Sequence, residues 1–209
     1  SQDYAGAKWA LAQRTPGATE SDLDRLFDEG AILRTHLMRP TWHFVLPQDV
    51  RWLLELTAAR VKAVMAANDR VQQVDGQVLA RTYKVLEGAL GDAQHLTRAG
   101  LSAALEAAGI AAGGARLGHL LMHAELDGIV VSGPRQGRQF TYALLDERAP
   151  KARRLDRDEA LAELTRRYFT SHGPAQVTDF AWWSGLTVKD GRRGLEMVGS
   201  CLVREVIEG

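Results

Sequence analysis

Apolar positions recur along most of this chain at helical spacing, and in a few places the spacing changes to alternation. In "DYAGAKWALAQR" the register of Tyr4, Ala7, Lys8, Trp9 and Leu11 predicts a helix already under way by residue 5. "TESDLDRLFDEG" predicts a second helix, capped by Thr19 or Ser21, with Leu23, Leu26 and Phe27 turned inward. "AILRTHLMRPTWHFVL" alternates like strands around Arg39-Pro40. The segment 48–77, with "QDVRWLLELTAARVKAVMAAN", reads as a connecting helix.

The clearest module runs from Tyr83 to Leu145. Val85, Leu86, Ala89 and Leu90 mark one helix. Thr97 is placed to cap a second, "RAGLSAALEAAG", which Gly109 stops. In "ARLGHLLMHAELDG", Leu117, Leu120, Leu121 and Ala124 fall at i, i+3, i+4 and i+7 of a third. "IVVSG" and "QFTYALL" then read as strands joined by the basic tip "PRQGR". Three helices followed by a two-stranded hairpin is the order of a winged helix. Its third helix usually enters the major groove, and its wing usually meets phosphates.

The pattern recurs at roughly 75 residues. "RDEALAELTRRYFTSHG", "VTDFAWWSGL" and "TVKDGRRGLEMVG" predict three more helices, the last with a Thr187…Asp190 cap spacing, and "CLVREVIEG" predicts a first wing strand. The expected fold is therefore mainly α with small β wings, in tandem winged-helix modules. Residues 1–75 would hold the end of a first winged helix plus connecting helices, 76–150 a second, and 151–209 the start of a third. Both ends are expected to be cut, because the pattern enters one module late and leaves another early.

Composition adds little to this and removes some alternatives. Hydrophobic residues make up 45% and charged residues 25%, the balance of a globular protein. No apolar run approaches the ~18 residues of a membrane span. The single Cys201 excludes an internal disulfide and a Cys-pair zinc site, so a reducing cytoplasm is the expected compartment. The 26 basic residues balance 26 acidic ones, which on its face argues against a nucleic-acid protein. Yet Arg outnumbers Lys by 21 to 5, and Arg suits bidentate phosphate contacts. Between Ser132 and Arg157, seven basic residues face three acidic ones.

Candidate residues follow from these placements. Arg135 and Arg138 in the wing are phosphate-contact candidates, and Lys189, Arg192 and Arg193 on the last helix have similar standing. Arg116, His119 and His123 share the helix face opposite the Leu stripe and so fit a DNA-facing surface. His119 and His123 also have the i, i+4 spacing of metal ligands, but "HLLMHAE" brings no third ligand and no metal is expected. His43 fits either a satisfied structural histidine or a residue lining a site, as do His36 and Arg39. Trp9, Trp42, Phe44 and Trp52 read as packing residues. Trp182 and Trp183 cannot both face one core, so one is expected to be exposed. "GIAAGGARLG" lacks the Lys and Ser/Thr of a phosphate loop and reads as a turn.

"SQDYAGAKWAL", "LRTHLMRPTWHFV", "RLGHLLMHAELDGIVVSGPRQGRQFTYALLDERAP" and "GPAQVTDFAWWSGL" together resemble the winged-helix family that contains the AlkZ/YcaQ-like bacterial DNA glycosylases. The likeness covers nearly the whole chain. It implies tandem winged helices, excision of N7-alkylated purines, unhooking of interstrand crosslinks, double-stranded DNA as partner, and no cofactor. It also implies a Gln-any-Gln motif whose middle residue would be Ser1 and whose last would be Gln2, the first lying before the chain. Gln2 is thus the implied catalytic residue. Asp3 is its neighbour, able to supply negative charge near the sugar. The function expected is that of a monomeric DNA repair glycosylase; a non-enzymatic DNA-binding regulator or an interaction scaffold uses the same modules.

Overall fold

The computed structural model describes residues 3–205. Helices α1 (Tyr4–Ala12) and α2 (Glu20–Asp28) precede a hairpin of β1 (Leu33–Leu37) and β2 (Arg39–Val45). The long α3 (Val50–Val71) follows, then α4 (Gly76–Leu90), β3 (Leu96–Thr97), α5 (Arg98–Ala107), α6 (Gly114–Leu126), β4 (Val130–Ser132) and β5 (Thr141–Leu144). The chain continues through α7 (Leu145–Arg148), α8 (Arg157–His172), α9 (Val177–Ser184) and α10 (Val188–Val198) to a 3-10 turn at Gly199–Cys201. The described chain is mainly helical, with two small antiparallel sheets. None of its helices is long and apolar enough to cross a membrane.

Several helix starts are set by single side chains. Thr97 Oγ1 accepts the N–H of Gly100 at 3.2 Å. Thr19 and Asp22 form a reciprocal box at the start of α2, and Thr187 and Asp190 form another at α10. Each such cap is worth about 1 kcal/mol.

Between α4 and β5 the topology is that of a winged helix. Strand β3 leads into α5 and pairs with β5, which also pairs with β4, giving the order β3-β5-β4. Leu86, Leu90, Leu101, Leu105, Leu120 and Leu121 fill the core of this unit. A second core gathers around α3. Val50, Trp52, Leu53, Leu54 and Leu56 are all buried, so the first turns of α3 are apolar on nearly every side and must be covered from several directions. Leu33 and Leu37 of β1, Leu161 and Leu164 of α8, and Phe180 of α9 supply that cover. Helix α6 stands between the two cores. Its Leu117, Leu120, Leu121 and Ala124 belong to the first, its Met122 and Leu126 to the second.

Three expectations need correction. Trp9 is 67% exposed, because the inward face of α1 is taken by Ala7 and by Lys8, whose Nζ lies 2.6 Å from Glu20 and 2.8 Å from Asp24. The hairpin reverses at Met38, with φ +60, and Arg39-Pro40 lies inside β2. The described part of "CLVREVIEG" is no strand: residues 199–201 form the 3-10 turn and 202–205 are irregular. A strand there would need a partner for its N–H and C=O groups. Trp182 is 73% exposed, as one of the adjacent pair had to be.

Candidate nucleic-acid interface

Register in the first hairpin decides what faces the site. Arg34 pairs with Phe44 and His36 with Trp42, so these four side chains share one face of the two-stranded sheet. Helix α6 brings Glu125 to this face, and the wing brings Phe140. The Arg34 guanidinium carbon lies 4.2 Å from the Trp42 ring centroid and 4.7 Å from that of Phe140. Glu125 is 2% exposed. One of its oxygens bonds His36 Nδ1, and the other accepts from Trp42 Nε1 at 3.4 Å. Burial lowers the pKa of Arg34, and the nearby Glu125 charge works against that shift. A buried cation and a buried anion thus hold the hairpin, α6 and the wing together.

The first turn of α1 is fastened to the same wing residue. The Tyr4 ring meets Phe140 edge-on at 5.0 Å, Phe27 at 5.3 Å and Phe44 at 5.7 Å. Asp3 caps this helix, its carboxylate accepting the N–H groups of Ala5 at 3.1 Å and Gly6 at 3.0 Å.

Above the buried pair opens a cleft of about 770 Å³, lined in part by Arg34, Trp42, Arg98, Arg138, Phe140 and Tyr142. Its lining holds three arginines and, among the described residues, no carboxylate. The zero net charge of the chain therefore conceals a locally cationic concavity. Guanidinium groups suit phosphates, and aromatic rings suit bases. No group of His, Cys, Asp or Glu among the described residues could hold a metal ion.

The family described as DNA glycosylase AlkZ-like matches residues 1–209. The chain belongs to this family. Among solved structures it is similar to Streptomyces sahachiroi DNA glycosylase AlkZ, with a TM-score of 0.75 at 21% identity. The match covers 95% of this chain and 56% of that one, so the chain spans little more than half the length of its relative. At such identity the likeness concerns the fold. No curated protein sequence matches the chain.

The residues singled out in this family member fall in different places. Arg138 is exposed at the wing tip and lines the cleft. Arg135 instead turns back, with its guanidinium 3.1 Å from Asp24 and its backbone N–H donating to Asp28 at 2.8 Å. The α6 face that carries Arg116, His119 and His123 is engaged by the C-terminal end of α3. Arg116 donates to the Gln72 carbonyl at 2.6 Å, and His119 Nδ1 and His123 Nε2 each lie 2.9 Å from an oxygen of Asp69. The C-terminal end of α3 covers the face that a free recognition helix would present. Lys189 and Arg192 are exposed on α10, and Arg193 pairs with Asp158 at 2.5 Å; none of the three lines the cleft.

His43 alternates away from Trp42 and Phe44, and its Nδ1–H donates to the Thr41 carbonyl at 2.9 Å. Burial pushes its pKa down to about 4, so it is uncharged at neutral pH. Gln2 lies outside the described residues. Sequence reasoning missed Arg34, Arg98, Phe140 and Tyr142 as a group. Period-2 pairing would have put Arg34 beside Trp42, but the wing's approach to that face is a long-range contact with no local signature.

Proposed function

We propose that this chain is the DNA-binding body of a DNA repair glycosylase that hydrolyses the N-glycosidic bond of N7-alkylated purines or of interstrand crosslinks, acting on double-stranded DNA as a monomer. The observation that carries this reading is the cleft: arginines from β1, α5 and the wing converge on one concavity with aromatic walls. Family membership supports the glycosylase class. In this reading the strand's phosphates lie against Arg98 and Arg138. Gln2, last residue of the implied Gln-any-Gln motif, orients the attacking water with its amide.

The chemistry suits such a site. N7 alkylation makes the purine cationic. Its bond to the sugar breaks with the electron pair leaving on the base, which neutralises the ring without a general acid. Water adds to the resulting oxocarbenium-like carbon and gives up its proton to solvent. An amide positions that water without acting as a base. A regulator reading the major groove through α6 is disfavoured, because Arg116, His119 and His123 are committed to α3.

The test is release of N7-methylguanine from duplex DNA by the complete gene product and its Gln2→Ala variant. Release that collapses in the variant supports the reading. Absence of release from the unsubstituted protein removes this lesion as its substrate.

A further inference from the structure

The cleft contains a helix start that no side chain caps. Helix α6 begins at Gly113 and Gly114, within the Gly-rich stretch that lacks a phosphate-loop sequence. The N–H groups of Gly114, Ala115 and Arg116 have no acceptor among the described residues. Both glycines line the cleft, and a Cβ at either would meet nothing within 4 Å. The other helix that starts in this cleft differs, because Thr97 closes α5 by accepting from Gly100. The Arg98 guanidinium donates to the Gly114 carbonyl at 3.4 Å, so a cation stands beside the first turn of α6. Bare N–H groups at the positive end of a helix favour an anion.

A second group points to the same ligand. Tyr142 of β5 is 8% exposed and lines the cleft together with Arg98. Its hydroxyl bonds to none of the described residues, yet it is not sealed from solvent. Burial raises its pKa, the nearby Glu125 charge adds to that shift, and Arg98 and Arg34 work against it. The hydroxyl therefore keeps its proton at neutral pH and is a donor. A nearly buried donor left unpaired is unfavourable, and the cleft is where it can meet an acceptor.

We propose that the start of α6, the Tyr142 hydroxyl and Arg98 together bind one tetrahedral phosphate, a phosphodiester of the DNA strand in the cleft. The proposal rests on the DNA-binding reading above and gives that reading a fixed contact point. Long arginine side chains attract phosphate over a wide range of positions, and salt screens that attraction. N–H groups held in a helix and a hydroxyl held on a strand accept phosphate in one place. The arginines thus supply charge, while α6 and β5 set the register of the strand.

The experiment measures duplex affinity across a series of chloride concentrations, with thermal unfolding followed on the same samples. It compares the unsubstituted chain with Tyr142→Phe and Gly113→Asn. Phenylalanine removes the hydroxyl and keeps the ring. Position 113 has φ −84 and ψ 153, the extended conformation of an ordinary N-cap, so asparagine there is placed to satisfy the first-turn N–H groups without adding charge. Each variant is expected to bind about tenfold more weakly at every salt concentration. The log–log salt slope should stay unchanged, because no cation is removed. The unfolding midpoint of Gly113→Asn should equal or exceed that of the unsubstituted chain.

Equal affinity in all three chains, with duplex bound by each, overturns the phosphate site and leaves the DNA reading intact. No duplex binding by the unsubstituted chain overturns both. Repeating the unfolding with inorganic phosphate in place of chloride, at equal ionic strength, separates the sources of the anion. A midpoint raised by phosphate in the unsubstituted chain alone, with equal duplex affinities, assigns the site to free phosphate and overturns the strand contact. Should Gly113→Asn fail to fold, Tyr142→Phe carries the test, since its hydroxyl has no partner among the described residues to lose.

Discussion

The guanidinium of Arg135 stands 3.1 Å from the carboxylate of Asp24, and this pair ties the wing to α2. A wing arginine expected to meet phosphate is spent on folding. Both side chains are only about a fifth to a quarter exposed, which separates this contact from an ordinary surface pair. Arg135→Ala is expected to lower unfolding free energy by about 1–2 kcal/mol. It should leave the salt dependence of DNA binding unchanged. Urea denaturation and a binding titration on the same sample check both halves.

Glu125→Ala should be far more costly, about 3 kcal/mol, because it strips His36 and Trp42 of a partner and removes a buried charge that favours the Arg34 cation. Glu125→Gln keeps an acceptor and should cost less. The order of denaturation midpoints, unsubstituted above Gln above Ala, is the check.

His43 makes stability depend on pH. Its folded-state pKa of about 4 lies below the ordinary value of 6.5, so the unfolded chain binds a proton that the folded chain refuses between those limits. Its contribution is present above pH 6.5 and is lost as pH falls toward 4, by up to about 3 kcal/mol. Denaturation at pH 7.5 and pH 5 should show a larger loss for the unsubstituted chain than for His43→Gln.

Gly185 ends α9 with φ +73, and a Cβ there would stand 2.1 Å from the Met38 backbone oxygen at the hairpin turn. A backbone oxygen cannot swing aside. Gly185→Ala should therefore cost roughly 2 kcal/mol or more, read from the thermal midpoint.

Much of the helical order was legible because its signals are local. Thr97, Thr19 and the Thr187–Asp190 box cap the predicted helices within one turn of where they stand in sequence. The Leu stripe of α6 named one buried face correctly. It could not reveal the second, because His119 and His123 each bond an oxygen of Asp69, about 50 residues away on another helix. A polar face reads as solvent-facing unless its partner is known. Trp9 failed for the opposite reason: apolar character promised burial, while the ion-paired Lys8 took the inward place. The cleft was the least legible feature, since its arginines come from β1, α5 and the wing and meet only in the folded chain.

The cleft as DNA interface is best tested through salt. Duplex affinity of the unsubstituted chain and of an Arg98→Ala/Arg138→Ala double variant should be measured across a series of salt concentrations. Removing two phosphate contacts should weaken binding about equally on unrelated sequences and lower the magnitude of the log–log slope by about 2. An unchanged slope with unchanged affinity would mean that DNA, if bound, lies elsewhere on the chain.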